Sequence, residues 1–281
     1  MNLFYFHDRI NPNFGDELNA FLWPRLFGDI FDGRGDCLFL GIGTILDRRV
    51  PVSPRTIVFG TGVRNPADLP VIDESWDIRF VRGPKSSSAL GGCRAISDSA
   101  YCLRLLEWKK CPKVHRVSFV PWYLNRGLEW AIACRQAGVK YIDPCRSVGE
   151  VIEDIRSSEL VITEAMHGAI VADAFGVPWI RVKSRQHRWE KEGATEWKWA
   201  DWAESVGVSA SGVASALPER CGTRQWLLPW GIYRAVVRKA SALKAAAKEQ
   251  PRLSSDVRLC ETISQLNDEV QRLSGDLSRM G

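Results

Sequence analysis

The sequence predicts an α/β protein of two Rossmann-like units facing a cleft, followed by a helical C-terminal tail. Three observations carry that prediction. Short apolar runs alternate with helical patterns along most of the chain. Those runs are apolar at successive positions, the mark of parallel strands buried on both faces, rather than at every second one. A length of 281 residues with 12 Trp and 11 Phe supplies apolar surface for two cores and excludes a disordered chain.

In a first unit at residues 1–110, Leu3-Phe4-Tyr5-Phe6, Cys37-Leu38-Phe39-Leu40, Thr56-Ile57-Val58-Phe59 and Ile78-Arg79-Phe80-Val81 read as strands. A second unit at 111–225 opens at the Cys111-Pro112 break and repeats the pattern at 116–120, 139–142, 160–163 and 179–182. Helical stretches fall near 17–27, 86–91, 101–108, 125–137, 148–157 and 166–175. Ser147 with Glu150 three residues later reads as a capping box opening one of them. Residues 226–250 read as a basic amphipathic helix and 251–281 as a coiled-coil-like tail.

Several classes are excluded. No apolar run reaches the ~18 residues that a membrane-spanning helix needs. The first eight residues, Met1-Asn2-Leu3-Phe4-Tyr5-Phe6-His7-Asp8, lack the basic and long apolar stretches of a secretion signal. The eight cysteines never form C-x-x-C, so they read as reduced thiols of a cytoplasmic protein and not as a disulfide frame or a metal site. There is no Walker A loop and no Asp-x-Asp pair, and Gly41-x-Gly43 lacks the third glycine of a dinucleotide fingerprint at Leu46. Of the formal net charge of +5, residues 226–250 carry +4, which argues against a nucleic-acid-binding folded face.

In open parallel sheets, ligands bind beyond the carboxyl ends of the strands. The turns expected there hold the candidate residues. Arg82-Gly83-Pro84-Lys85-Ser86-Ser87-Ser88 follows a strand, and Pro84 suits a first helical turn, whose free N–H groups with Arg82, Lys85 and the serine hydroxyls form an anion site. A surface arginine and lysine beside a cap is the plainer reading of the same residues. His167 ends an apolar strand just before a small-residue helix that includes Gly168, and Glu164 precedes it. It is either a satisfied structural histidine or a group that binds an anion and moves a proton. Asn13-Phe14-Gly15-Asp16 follows the first strand, where Asp16 is a cap or a general base. Trp189, Trp197, Trp199 and Trp202 are dense enough to suggest that some form an exposed platform for sugar rings, although packing of a late helix accounts for them too.

Taken in order, these segments resemble the polysaccharide pyruvyl transferase family, closest to its bacterial exopolysaccharide branch. The resemblance rests on Asn13-Phe14-Gly15-Asp16, Gly41-Ile42-Gly43, Gly60-Thr61-Gly62, Val81-Arg82-Gly83-Pro84-Lys85-Ser86, Asp98-x-Ala100, the run from Ser158 through Met166-His167-Gly168 to Gly176-Val177-Pro178, and Lys198-Trp199-x-Asp201-Trp202. It spans roughly residues 3–205. It implies a GT-B-like fold with phosphoenolpyruvate as donor co-substrate, no other cofactor and no metal. Arg82 and His167 match the family's donor-contacting arginine and histidine. Three departures stand out: Ala165-Met166-His167 where many members have Arg-x-His, Pro121-Trp122 in place of Pro-His, and Ser97-Asp98-Ser99 in place of Gly-Asp-Pro.

The chemistry implied is transfer of a pyruvyl group onto two hydroxyls of a saccharide, in the exopolysaccharide branch's setting of a lipid-linked repeat unit, with release of phosphate. On that reading Arg82 and Lys85 hold the anions, His167 protonates or grips the phosphate, and Asp16 or Glu164 is the base. Asn13, Gly15, Gly43, Gly62, Ser86 and Gly168 complete the pocket. A GT-B glycosyltransferase using a nucleotide sugar, and an inactive scaffold in polysaccharide assembly, are the alternatives. The basic helix predicts attachment to the inner face of the plasma membrane through Trp226, Leu227, Leu228, Trp230, Ile232, Val236, Val237 and Leu243, or else a helix packed back on the N-terminal unit. In the tail, heptads place Ile263, Val270 and Leu277 at a and Leu259, Leu266 and Leu273 at d, which predicts a weak parallel homodimer or docking on its own domain.

Overall fold

The computed structural model of the chain describes residues 1–33, 35–184, 192–210, 216–217 and 229–279. In the first unit, β1 (Asn2–Leu3), β2 (Cys37–Leu40), β3 (Arg55–Phe59) and β4 (Trp76–Phe80) form one parallel sheet in that order. α1 (Phe14–Phe27) and α2 (Pro84–Ala89) belong to this half. In the second unit, β5 (Ser118–Val120), α3 (Leu128–Ala137), β6 (Lys140–Tyr141), α4 (Val148–Arg156), β7 (Val161–Thr163), α5 (Met166–Ala174) and β8 (Trp179–Arg181) build a parallel sheet of order β6-β5-β7-β8. β9 (Lys183–Ser184) pairs with β10 (Ala216–Leu217), and the chain closes with α6 (Glu192–Ser205), α7 (Pro229–Ala246) and α8 (Asp256–Ser278). No helix among the described residues is long and apolar enough to cross a membrane.

Both sheets are buried on both faces, as their continuous apolar runs require. Phe39, Ile57, Phe59 and Phe80 join the main core, while Leu38, Leu40, Val58 and Val81 enter a second cluster on the opposite face. In the other sheet Val120 and Val161 face the main core, and Phe119, Ile162 and Ile180 face a third cluster. The main core is continuous across both units, from Phe14 and Trp23 through Tyr101 to Val151 and Trp179.

Several elements differ locally from expectation. β1 pairs for two residues rather than four, although the Phe4 N–H still donates to the Phe39 carbonyl at 3.0 Å. The helix expected at 101–108 is a 3₁₀ segment over Ser99–Leu105, started by Asp98, whose side chain accepts from the Ala100 N–H. α1 begins at Phe14 because Asn13 caps it. The hydroxyl half of the capping box does not form: the Ser147 hydroxyl donates to the Glu150 carboxylate, which is also held by Arg146, and makes no bond to the helix backbone.

Three larger expectations are corrected. The heptad stripe of the tail is consumed inside the chain. Leu259, Leu266, Val270 and Leu273 are buried in the main core, with α8 lying against the 3₁₀ segment, so the seam for a parallel homodimer is not free. Arg94 to Glu269 and Arg79 to Asp276 fasten the helix to the first unit. The apolar side of α7 is likewise covered: Val236 and Ala240 pack with Ala133 of α3, and Leu243 enters the third cluster, so these residues cannot lie in a lipid leaflet, and the helix packs on the second unit rather than the N-terminal one. Trp226, Leu227, Leu228 and the side chain of Trp230 lie outside the described residues. Trp199 and Trp202 form no platform; they are buried against Trp179, with ring centroids 5.3–6.1 Å apart. Trp189 lies outside the described residues.

Candidate functional site

The site lies where turns beyond the carboxyl ends of both sheets meet, as expected for open α/β sheets. From the first unit comes Arg82, two residues past β4 and fully buried. Its guanidinium is threaded through space left by a missing side chain: a Cβ on Gly62 would stand 2.3 Å from Arg82 Cζ and Nη2. Nη1 donates to Thr44 Oγ1 at 2.6 Å and to the Gly43 carbonyl at 3.4 Å. Gly43 is held at φ +130°, a backbone state that side chains rarely adopt.

Nε of Arg82 donates to Asp201 Oδ2 at 3.0 Å, and Asp201 belongs to α6, which arrives after the second sheet. The same carboxylate accepts from the Ser86 N–H at 2.8 Å and the Ser86 hydroxyl at 2.6 Å. The anion site that Arg82 and Ser86 foretold therefore exists, but the chain's own Asp201 fills it. A guanidinium and a helix-opening N–H satisfy any carboxylate of the right reach, and the sequence does not say which one arrives. Lys85 does not join the group. Its ammonium pairs with Glu204 at 3.2 Å and lies 5.7 Å from the Trp197 ring, at the surface.

From the second unit comes His167, in the first turn of α5. Its ring occupies room made by Gly15, in the first turn of α1, where a Cβ would stand 2.3 Å from Nδ1. Gly168 plays the same part for Thr163, whose hydroxyl would be 2.4 Å from an added Cβ. His167 Nε2 faces Asp98 Oδ2 at 3.8 Å. Burial, reinforced by the charges of Arg82 and Lys198, lowers the imidazole to about 3, so it is neutral at neutral pH. Burial raises Asp98 to about 6, against the pull of Arg82.

Asp98 is the residue that sequence reasoning left out of the site. Its Asp-x-Ala step signals a cap, and it does cap the 3₁₀ segment through Oδ1, at 3.0 Å from the Ala100 N–H. That leaves Oδ2 for other work. Four buried polar atoms here have no hydrogen-bond partner among the described residues: Arg82 Nη2, Asp98 Oδ2, Ser99 Oγ and His167 Nε2. Ser99 stands beside Gly60, where a Cβ would come within 2.9 Å of its hydroxyl. Leaving such atoms unpaired costs about 1–3 kcal/mol each, so the arrangement favours a polar ligand that completes them. Chemically, the set offers a guanidinium, a hydroxyl, a neutral imidazole and a carboxyl that titrates near 6.

The two other carboxylates expected to act are engaged elsewhere. Glu164 accepts from the Trp122 N–H at 3.1 Å and from the Asn125 amide at 2.9 Å, so it ties down the loop after β5 and is not a free base. Asp16 accepts from the Asn13 amide at 2.8 Å inside the first turn of α1, while Asn13 caps the helix. Beyond the carboxyl ends of β5 and β6 lies a cavity of about 590 Å³ lined by Asn11, Arg126, Leu128, Tyr141 and Asp143 among others. Asn11 leads into the Asn13–Gly15 turn against His167, and Arg126 follows Asn125, which holds Glu164.

Comparison with known proteins gives the family. A family model described as polysaccharide pyruvyl transferase matches residues 28–185. The succinoglycan biosynthesis protein ExoV of Rhizobium meliloti (strain 1021) is 36% identical over 212 residues, which cover 73% of this chain and 65% of that protein. The chain thus matches just under two thirds of its curated relative's length. Among solved structures, the calicheamicin glycosyltransferase CalG4 aligns with 82% of this chain and 54% of its own at 17% identity and a TM-score of 0.31. With the family model covering more than half of the sequence, and a relative at this level of identity, the chain belongs to the polysaccharide pyruvyl transferase family.

Proposed function

We propose that the protein transfers the pyruvyl group of phosphoenolpyruvate onto two hydroxyls of one sugar in a lipid-linked exopolysaccharide repeat unit, forming a cyclic ketal and releasing phosphate. The observation that carries this reading is the group of four unsatisfied buried atoms on Arg82, Asp98, Ser99 and His167, in a chain of this family. Phosphoenolpyruvate brings a carboxylate and a phosphate, and Arg82 Nη2, Ser99 Oγ and the protonated tautomer of His167 Nε2 are all donors to anionic oxygen.

The reaction needs one hydroxyl to add to C2 while C3 gains a proton. Phosphate then departs from the tetrahedral carbon, and the second hydroxyl captures the resulting cation and gives up its proton. Two hydroxyl protons are lost: one balances the proton gained at C3 and the other leaves with phosphate. Asp98 is the base for the attacking hydroxyl, because its carboxyl titrates close to working pH and is unpaired at Oδ2. Arg82 and His167 hold the charge that develops on the leaving phosphate. The cavity of about 590 Å³ beyond β5 and β6, with amide, guanidinium, phenol and carboxylate groups on its wall, suits the acceptor sugar.

The test is phosphate release from phosphoenolpyruvate with and without lipid-linked saccharides, together with the mass of the product. Acceptor-dependent release and a gain of one pyruvate less one water are expected. Consumption of a nucleotide sugar in place of phosphoenolpyruvate would replace this reading with glycosyl transfer. Donor binding without turnover on any acceptor would replace it with a scaffold.

A further inference from the structure

We infer that the exposed face of α7 is a docking surface for an anionic membrane, held by charge rather than by insertion. This inference stands apart from the ketal chemistry above. Tyr233, Arg234, Val237, Arg238, Ser241, Lys244 and Ala245 are all exposed, and Lys248 is exposed in the turn just past the helix. At 100° per residue those on the helix occupy a single arc of roughly 140°. The opposite arc carries Val236, Lys239, Ala240, Leu243 and Ala246, all buried. The helix is therefore fixed to the fold by one side and presents the other to its surroundings.

What it presents is cationic. The fifth cation of the segment, Lys239, is spent internally: it is fully buried, 3.3 Å from Glu129 and 4.2 Å from the centre of the Trp130 ring. Arg234, Arg238, Lys244 and Lys248 have no acidic partner among the described residues, unlike such cations as Arg55, Arg79, Arg94, Arg146 and Arg181, each of which is paired with a carboxylate. Residues 226–250 hold +4 of the chain's formal +5, with Glu249 their one acid. A neutral protein surface has nothing to gain from such a face, but an anionic one does.

Membrane is favoured over nucleic acid by the residues set among the cations. Tyr233 is 59% exposed and Val237 40% exposed on the same arc, and an amphipathic phenol with an aliphatic neighbour suits a headgroup layer. Each basic residue near an anionic leaflet raises partition about fivefold, and added salt removes that gain. Docking by this face needs no unfolding, since every residue it uses already points outward.

The experiment is sedimentation of the full chain with vesicles of phosphatidylcholine alone or mixed with phosphatidylglycerol. Binding to the anionic vesicles at low salt, lost at high salt and absent on phosphatidylcholine, is expected. The triple variant Arg234→Glu, Arg238→Glu, Lys244→Glu should bind at least tenfold more weakly while melting at the same temperature as the native chain. Failure of the native chain to bind anionic vesicles at low salt overturns the inference. So does a triple variant that binds as the native chain does, equal binding to neutral vesicles, or tighter binding to a duplex oligonucleotide than to the anionic vesicles.

Discussion

Two buried polar groups lie side by side in this protein, and they are built in opposite ways. Around Asp201 the arrangement is nearly saturated: both carboxylate oxygens accept hydrogen bonds, and Arg82 spends Nε and Nη1 on Asp201, Thr44 and Gly43. Between Asp98 and His167 the facing atoms are 3.8 Å apart, and neither has a hydrogen-bond partner among the described residues. The first group joins α6 to the turn after β4 and fixes the guanidinium. The second is admitted by glycines, Gly15 making room for the His167 ring and Gly60 for Ser99. Saturation marks a structural junction, whereas its absence at equal burial leaves hydrogen-bonding capacity that the described residues do not use, which is the basis of the proposed ligand site. Arg82 belongs to both, since Nη2 alone is left over from the junction.

The comparison breaks most easily at the junction. Asp201→Ala leaves a buried guanidinium without its counterion and should cost about 3–5 kcal/mol of stability, read as a fall in the unfolding midpoint in urea. A midpoint within error of the native chain would show that the junction is not structural. At the open pair the balance reverses. His167→Ala should lower turnover by about 10²-fold or more while the unfolding midpoint moves little, because the lost ring packing is offset by removal of an unsatisfied buried nitrogen. Equal losses in stability and turnover would erase the distinction between the two groups.

Titration sharpens the same contrast. With Asp98 raised to about 6, activity that needs its carboxylate rises with pH through about 6, and no second limb follows from His167, which stays neutral above about 3. Asp98→Asn should abolish that limb together with most of the activity. The linkage to stability has a definite sign. The carboxyl titrates higher in the fold than in the unfolded chain, so the stability tied to its protonation is full below the ordinary carboxylate range and is lost as pH rises through about 6. The Asp98→Asn variant should therefore lose less stability than the native chain between about pH 4 and about pH 7, the interval that these shifts define, as thermal melts across that range would reveal. The smallest effect belongs to Lys85. Its ion pair with Glu204 is exposed, so Lys85→Ala should change stability by less than about 1 kcal/mol and leave the Michaelis constant for phosphoenolpyruvate unaltered. A large rise in that constant would restore Lys85 to the donor site.

The strands and the turns at their carboxyl ends were legible because they depend on local pattern: unbroken apolar runs, a proline at a first turn, glycines where backbone or side chains come close. Arg82 and His167 were legible for the same reason, lying at strand ends in recognisable turns. The partners of those residues were not. Asp98 reads locally as a cap, and it is one; only the approach of α5 from residue 166 onward gives its second oxygen a neighbour. Asp201 sits 119 residues from Arg82, on a helix whose sequence does not say which unit it will meet. Glu164 reads as a base until the loop at 122–125 folds over and occupies both of its oxygens.

The two terminal helices show where sequence stops and tertiary structure begins. Periodicity by itself determined that 256–278 is a helix with an apolar stripe and that 229–246 has one apolar and one basic side. It also determined the alternating α/β plan, because burial of both faces of a parallel strand leaves its mark on every residue of that strand. What covers each stripe was decided only in three dimensions. An apolar stripe is satisfied equally by a second copy, a lipid layer or the chain's own core, and the hydrophobic effect carries no direction to choose among them. Here the core lay within reach: the 3₁₀ segment and α3 each presented an apolar surface, and intramolecular docking forms without the translational entropy that a separate partner must give up.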